Sequence, residues 1–127
     1  MVSSVPRVLV VDDEPDMVVF LSAWLEDNGY EANSTTDGER ALQLIIEQPP
    51  DIVLMDLNMP NHSGFELYRE IQSREELRRI PVIFVTGLSQ YKIFNSTCSL
   101  LPEPAACIQK PIDLECLQDA LGRILKR

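Results

Sequence analysis

Five polar residues from four separate parts of the chain come at the ends of apolar runs. They are Asp12, Asp13, Asp56, Thr86 and Lys110. Carboxylate oxygens are the ligands that hard cations such as Mg²⁺ prefer, and a lysine with a nearby hydroxyl would bind phosphoryl oxygens. A carboxylate can also be the nucleophile in phosphoryl transfer and become an aspartyl phosphate. If these side chains meet, the sequence predicts a Mg²⁺-dependent site that accepts a phosphoryl group.

Asp56 is the candidate nucleophile because it directly follows four apolar residues at 52–55. A charge beside a core is costly unless something pairs with it. Asp12 and Asp13 are adjacent and better placed to hold metal. Taken singly, these residues have plainer explanations, since two acids before a helix favour its N-terminus and a lysine such as Lys110 is usually solvated. Their combination favours a site.

The elements that must position these residues include five candidate strands. Runs rich in Val and Ile lie at residues 7–11, 51–55 and 81–85, with a weaker run at 106–109 and an alternating segment at 30–34. Apolar runs without polar alternation are typical of strands buried on both faces of a parallel sheet. We therefore predict a parallel sheet built largely from buried strands.

Helical patterns alternate with these strands. They begin at Pro15, after Asp37, at Gly64 and after Asp113, and a further one runs from Ser89 to Leu101. Pro102 and Pro104 should interrupt this fourth segment, so we expect an irregular or shifted fourth helix. Alternation of this kind predicts an α/β fold, a doubly wound five-stranded parallel sheet with helices on both faces. Ligands bind beyond the carboxyl ends of such strands, where the five polar residues would converge.

The composition restricts the other possibilities. The 127 residues fit a single domain over residues 1–127, with an ordered core of about residues 5–126. The net charge of −9 argues against a nucleic-acid or anionic-membrane surface, and no apolar run approaches the roughly 20 residues that span a bilayer. Three cysteines without a CxxC pair indicate reduced thiols in a cytoplasmic protein, and we interpret them as small buried hydrophobes.

Four short motifs resemble those of one family. DDE at 12–14, DLNMPNHSG at 56–64, VTG at 85–87 and KP at 110–111 are similar, in order and spacing, to the receiver domain of a two-component response regulator. The resemblance covers nearly the whole chain. It implies a flavodoxin-like receiver fold with strand order 2-1-3-4-5 and five helices. It also implies a signalling switch that is not an enzyme, beyond self-phosphorylation from small donors and autodephosphorylation.

The resemblance implies Asp56 as the phosphoacceptor and Mg²⁺ as the cofactor. Asp13 would bind the metal directly, Asp12 would help through water, and Asp56 and the backbone carbonyl of Asn58 would complete the protein ligands. Asn58 also occupies one of the two positions that tune access of the hydrolytic water in this family.

The same resemblance assigns roles on the fourth and fifth strands. Thr86 would hydrogen-bond a phosphoryl oxygen, Lys110 would pair with it, and the bond to Pro111 would be cis. Leu88 occupies the second water-tuning position, where an apolar side chain predicts a fairly long-lived phosphoryl group. An aromatic residue usually stands three positions before the lysine and follows the threonine inward. Here that position is occupied by Cys107, whose small thiol cannot fill the space that a moving aromatic ring would fill.

The implied partners are a sensor histidine kinase or a histidine phosphotransfer protein. An output domain or a second copy would bind the surface formed by the fourth helix, fifth strand and fifth helix. Two alternatives stay open: a phosphorylation-independent interaction module, which Cys107 and the irregular fourth segment favour, and an aspartate-nucleophile phosphatase. The phosphatase would need a second Asp where the chain has Asn58. The sequence also leaves open a stand-alone regulator or a receiver within a larger regulator or hybrid kinase.

Overall fold

A computed structural model of the chain describes residues 5–57, 64–87, 89, 91–93 and 101–126. Five strands form one parallel sheet in the order β2-β1-β3-β4-β5, as predicted. They are β1 (Arg7–Val11), β2 (Glu31–Thr35), β3 (Ile52–Met55), β4 (Val82–Thr86) and β5 (Ala106–Gln109). The second, third and fourth strands each begin one residue later than expected, so Thr86 is the last residue of β4 rather than the first residue after it.

The helices whose first and last residues are both described cover the two faces of this sheet. They are α1 (Pro15–Asp27), α2 (Gly38–Glu47), α3 (Gly64–Ser73) and the C-terminal helix (Leu114–Leu125). Asp37 caps α2 by accepting a hydrogen bond from the Glu39 amide, and Asp113 caps the C-terminal helix in the same way. After α1 the chain turns at Gly29, whose φ of 88° lies in the left-handed region that glycine adopts without penalty. None of the described helices combines the length and apolar character that crossing a membrane requires.

The predicted fourth helix is described only at its beginning. Ser89 and residues 91–93 are helical, which places a turn of helix directly after β4. Residues 101–105 are not helical, which agrees with an interruption at Pro102 and Pro104, and the irregular or shifted fourth helix stays a prediction. Residues 94–100 lie outside the described part of the chain.

Tyr68 of α3 holds the segment that leads into β5. Its hydroxyl donates a 2.7 Å hydrogen bond to the carbonyl of Pro102, and its ring packs edge-on against Phe84 with centroids 4.9 Å apart. Burial raises the pKa of Tyr68 to about 12, so the phenol keeps the proton that this bond needs. The connection between β4 and β5 is therefore anchored to α3.

The core lies in two layers, one on each face of the sheet. Within β3, Val53 and Met55 belong to the layer under α2 and α3, whereas Ile52 and Leu54 belong to the layer under α1 and the C-terminal helix. Successive side chains of a strand point to opposite faces, so a wholly apolar strand serves both layers. This confirms the doubly wound arrangement, and it holds the carboxyl end of β3 rigidly at the centre of the sheet.

The prediction that the cysteines are small buried hydrophobes is wrong for two of them. Cys107 and Cys116 are both exposed, and Cys98 lies outside the described residues. Cys107 belongs to β5, which is an edge strand with a neighbour on one side only. Cys116 lies on the outer face of the first turn of the C-terminal helix. Composition alone could not show which elements lie at an edge of the fold.

Gly64 lets α3 begin against the end of β3. A Cβ at this position would lie 2.6 Å from the Cα of Leu57 and would also collide with the carbonyl oxygen of Asp56. We expect Gly64→Ala to lower the free energy of unfolding by about 1–3 kcal/mol, because backbone atoms would have to move. Urea denaturation measures the change. Gly87→Ala is the matched control, since nothing lies within 4 Å of its added Cβ. Equal stability of the two variants would contradict this account.

Candidate functional site

The carboxyl ends of four strands bring the predicted site residues together. Asp12 follows β1, Asp56 follows β3, Thr86 ends β4 and Lys110 follows β5. Backbone hydrogen bonds continue the strand pairing into these residues: the Asp56 amide donates to the carbonyl of Val11 at 3.0 Å and the Lys110 amide donates to that of Thr86 at 2.9 Å. The side chains therefore project from backbone that the sheet itself holds in place.

Three carboxylates form a cluster at this edge. Asp12, Asp13 and Asp56 each place a carboxylate oxygen within 4.8 Å of the others. Asp12 and Asp56 are 2% and 6% exposed, whereas Asp13 is half-buried. A cluster with oxygen ligands only suits a hard divalent cation such as Mg²⁺. The structure thus unites three of the four predicted metal ligands, and the fourth, Asn58, lies outside the described residues.

Lys110 supplies the positive charge between the buried acids. Its Nζ donates 3.0 Å hydrogen bonds to Oδ2 of Asp12 and to Oδ2 of Asp56, and it lies 3.6 Å from Oε1 of Glu14. Burial disfavours its ammonium form, but the hydrogen bonds to Asp12 and Asp56 outweigh that effect and raise the pKa of Lys110. The lysine is therefore a fixed cation at neutral pH.

Burial affects the pKa of Asp12 more strongly than its hydrogen bonds do. It raises the pKa of Asp12 above its ordinary value, although the Glu14 amide and Lys110 both favour the charged form. The amide donates a 3.0 Å hydrogen bond to Oδ1 of Asp12. Because one lysine faces several acids among the described residues, this edge of the sheet keeps a negative excess that an added cation would offset.

Thr86 has an unsatisfied hydroxyl at the same edge. Its side chain is buried, with the residue 1% exposed, and its Oγ1 has no hydrogen-bond partner among the described residues. A buried polar group without a partner is destabilising by about 1–3 kcal/mol. Thr86 lines an open cleft of 540 Å³, the acid cleft, whose other lining residues are Asp13, Glu14, Asp56, Gly87, Ser89 and Lys110. An anion that entered the acid cleft would find both a lysine and an unused donor.

The remaining predicted residues have mixed outcomes. The Lys110–Pro111 peptide bond is cis, as the resemblance implied. Cys107 lies on β5, three residues before the lysine, and Leu88 lies outside the described residues. Sequence reasoning noted Glu14 only as the third letter of DDE and gave it no role. Glu14 lies 3.6 Å from Lys110 and lines the acid cleft beside Asp13.

The chain belongs to the response regulator receiver domain family, whose model matches residues 8–122. It is 36% identical over 122 residues to the polar-differentiation response regulator DivK of Brucella ovis, covering 90% of this chain and 94% of that protein. The solved structure of a response regulator receiver protein from Pseudomonas putida superposes with a TM-score of 0.85 at 27% identity, covering 96% of this chain and 99% of that one.

A third relative is much longer. A probable cyclic di-GMP phosphodiesterase of Vibrio cholerae is 39% identical over 82 residues, which are 65% of this chain but only 18% of that protein. The chain therefore spans nearly the whole of one curated relative and a small part of another. The family places it in two-component signalling, and the three clustered acids are typical of a receiver Mg²⁺ site.

Removal of one buried charge should stabilise the chain when divalent cations are absent. We expect Asp12→Asn, with chelator present, to raise the free energy of unfolding at neutral pH by about 1 kcal/mol. The amide needs no counter-charge and can still accept the Glu14 hydrogen bond. Urea denaturation of both proteins measures the difference, with Asp119→Asn on the exposed face of the C-terminal helix as the control.

The pH dependence of this gain has a definite sign. Since the pKa of Asp12 is raised, the folded chain keeps this proton to a higher pH than the unfolded chain does. The Asp12 contribution to wild-type stability therefore falls as pH rises through that interval. The gain from Asp12→Asn should be larger at neutral pH than near pH 3, below the ordinary pKa of this carboxyl. A variant less stable than the wild type at neutral pH would contradict the account.

Proposed function

We propose that this chain is a phosphorylation-dependent signalling switch in which Asp56 accepts a phosphoryl group from a phosphohistidine. The donor would be a sensor histidine kinase or a histidine phosphotransfer protein. One observation carries the proposal: the nearly buried Asp56 carboxylate is hydrogen-bonded to Lys110 and shares the acid cleft with Thr86, whose hydroxyl has no partner among the described residues. The match to the receiver family and the resemblance to DivK, which is named a response regulator, support it.

In the proposed reaction a carboxylate oxygen of Asp56 attacks phosphorus. A P–O bond forms, the P–N bond to the donor imidazole breaks, and that ring nitrogen keeps the bonding electron pair. Lys110 would pair with a phosphoryl oxygen, and its raised pKa keeps it charged for that task. Thr86 would donate to another phosphoryl oxygen, a partner that its hydroxyl does not have among the described residues. The chain contributes positioning and electrostatics, which dominate phosphoryl transfer.

Asp12, Asp13 and Asp56 would hold Mg²⁺, together with the backbone carbonyl of Asn58. When bound, the cation offsets the negative charge of the carboxylates and of the phosphoryl oxygens. The negative excess around Lys110 makes these residues fit such an ion. Phosphorylation would then shift a pre-existing equilibrium at the surface that includes β5 and the C-terminal helix, where an output domain or a second copy would bind.

The proposed phosphorylation can be measured by intact mass. We expect the wild type to gain one phosphoryl group in acetyl phosphate and Mg²⁺, and we expect Asp56→Asn to gain none because it lacks the nucleophile. Asp119→Asn, which removes an exposed acid that does not line the acid cleft, should be phosphorylated like the wild type. Chelation of Mg²⁺ should suppress the gain.

Other outcomes of this experiment distinguish the alternatives. A wild type that gains no phosphoryl group would overturn the proposal and favour an interaction module. Sustained release of phosphate over many turnovers would favour a phosphatase. The presence of Asn58 argues against a phosphatase, because Asn58 occupies the position where the second catalytic acid would have to be.

We also propose that Leu88 and Asn58 set the lifetime of the phosphoryl group. An apolar side chain at position 88 would hinder the approach of hydrolytic water, so Leu88→Glu should change the dephosphorylation rate, with Leu88→Ile as the apolar control. Decay of the phosphorylated mass after removal of the donor gives the rate. Identical decay in all three proteins would count against this role.

A further inference from the structure

Thr86 and Gly87 line two separate spaces. One is the acid cleft, and the other is a smaller cavity of 210 Å³ whose remaining lining residues are Tyr91, Cys107 and Gln109. The same short stretch of backbone therefore borders both the phosphoacceptor and a second space. A change on one side can reach the other through two residues.

The small cavity lies on the α2 and α3 side of the sheet. Phe84 belongs to the core layer on that side and pairs in register with Cys107. Thr86, two residues further along β4, faces the same way because strand side chains alternate. Tyr91 is half-buried and packs against the same layer. Thr86, Cys107 and Tyr91 thus line one space on this side of the sheet.

Of the side chains around this cavity, Tyr91 is best suited to respond to a movement of Thr86. Its backbone amide donates a 3.2 Å hydrogen bond to the carbonyl of Gly87, which couples the first helical turn to the residue after Thr86. Cys107 is small and exposed on the edge strand, so it cannot fill a void. An aromatic ring can, and protein interiors close such voids because an unfilled space forfeits van der Waals contacts.

We propose that Tyr91 is the side chain through which this chain detects the phosphoryl group on Asp56. When the Thr86 hydroxyl turns toward a phosphoryl oxygen, it vacates volume at the small cavity and the Tyr91 ring moves in. The adjacent Lys92 and Ile93, which are both exposed, move with that turn and change the surface beside β5. This inference rests on the proposed function and gives it a readout that does not need an aromatic residue at position 107.

Fluorine NMR on the whole chain can test this inference. The chain has three tyrosines, so uniform 3-fluorotyrosine labelling gives three resonances, which Tyr→Phe variants assign. After phosphorylation with acetyl phosphate and Mg²⁺, verified by intact mass, the Tyr91 resonance should shift by more than its linewidth. Tyr30, buried in the opposite core layer, should not shift and serves as the internal reference.

Variants separate ring movement from the effect of a nearby charge. Thr86→Ala molecules that intact mass shows to be phosphorylated, however slowly, should lose the Tyr91 shift, whereas phosphorylated Thr86→Ser, which keeps the hydroxyl, should retain it. Cys107→Phe should fill the cavity and also abolish the shift. Lys92→Ala is the matched control in the same turn, and it should leave the shift intact because Lys92 does not line the cavity.

The outcomes distinguish this inference from the proposed function. A phosphorylated chain with an unmoved Tyr91 resonance overturns the inference and leaves the proposed function standing. A full shift in phosphorylated Thr86→Ala means that the resonance reports only nearby charge, and this also overturns it. A chain that gains no phosphoryl group contradicts the proposed function, and the inference fails with it.

Discussion

The arrangement at this edge of the sheet depends on one cation between two buried carboxylates. Lys110 reaches back from the end of β5 to Asp12 and Asp56 at 3.0 Å each, and so joins residues from three strands. Two acids so nearly excluded from water would be strongly destabilising without a partner. The buried strands matter because they place the three charged groups where one ammonium can serve both acids.

The charges and hydrogen-bonding groups at this edge of the sheet are not fully compensated. Glu14 and Asp13 add negative charge beside a single lysine, burial raises the pKa of Asp12, and the hydroxyl of Thr86 has no partner among the described residues. Groups chosen for stability alone would not be left in this state, and local costs of this kind concentrate at functional sites. A divalent cation and a phosphoryl group would together relieve the excess charge and the unused donor, which is why the proposed chemistry explains residues that packing does not.

Much of this arrangement was predictable because it depends on local rules. Apolar runs predicted the strands, Asp37 and Asp113 predicted two helix starts, and the rule for parallel sheets predicted where the polar residues meet. The features that sequence reasoning missed depend on contacts between distant segments. Exposure of Cys107 follows from its edge strand, the need for glycine at position 64 follows from the backbone of β3, and the position of Tyr91 follows from packing across the sheet. No period or spacing in the chain encodes these contacts.

Chemical mapping of the modified residue tests the central claim most directly. Borohydride reduces an aspartyl phosphate to homoserine, so peptide mapping after phosphorylation and reduction identifies the acid that was modified. The account predicts homoserine at position 56 and at no other acid of the site. Homoserine at position 12 or 13, or none at all in a chain that has gained a phosphoryl group, would contradict the assignment of Asp56 as the phosphoacceptor.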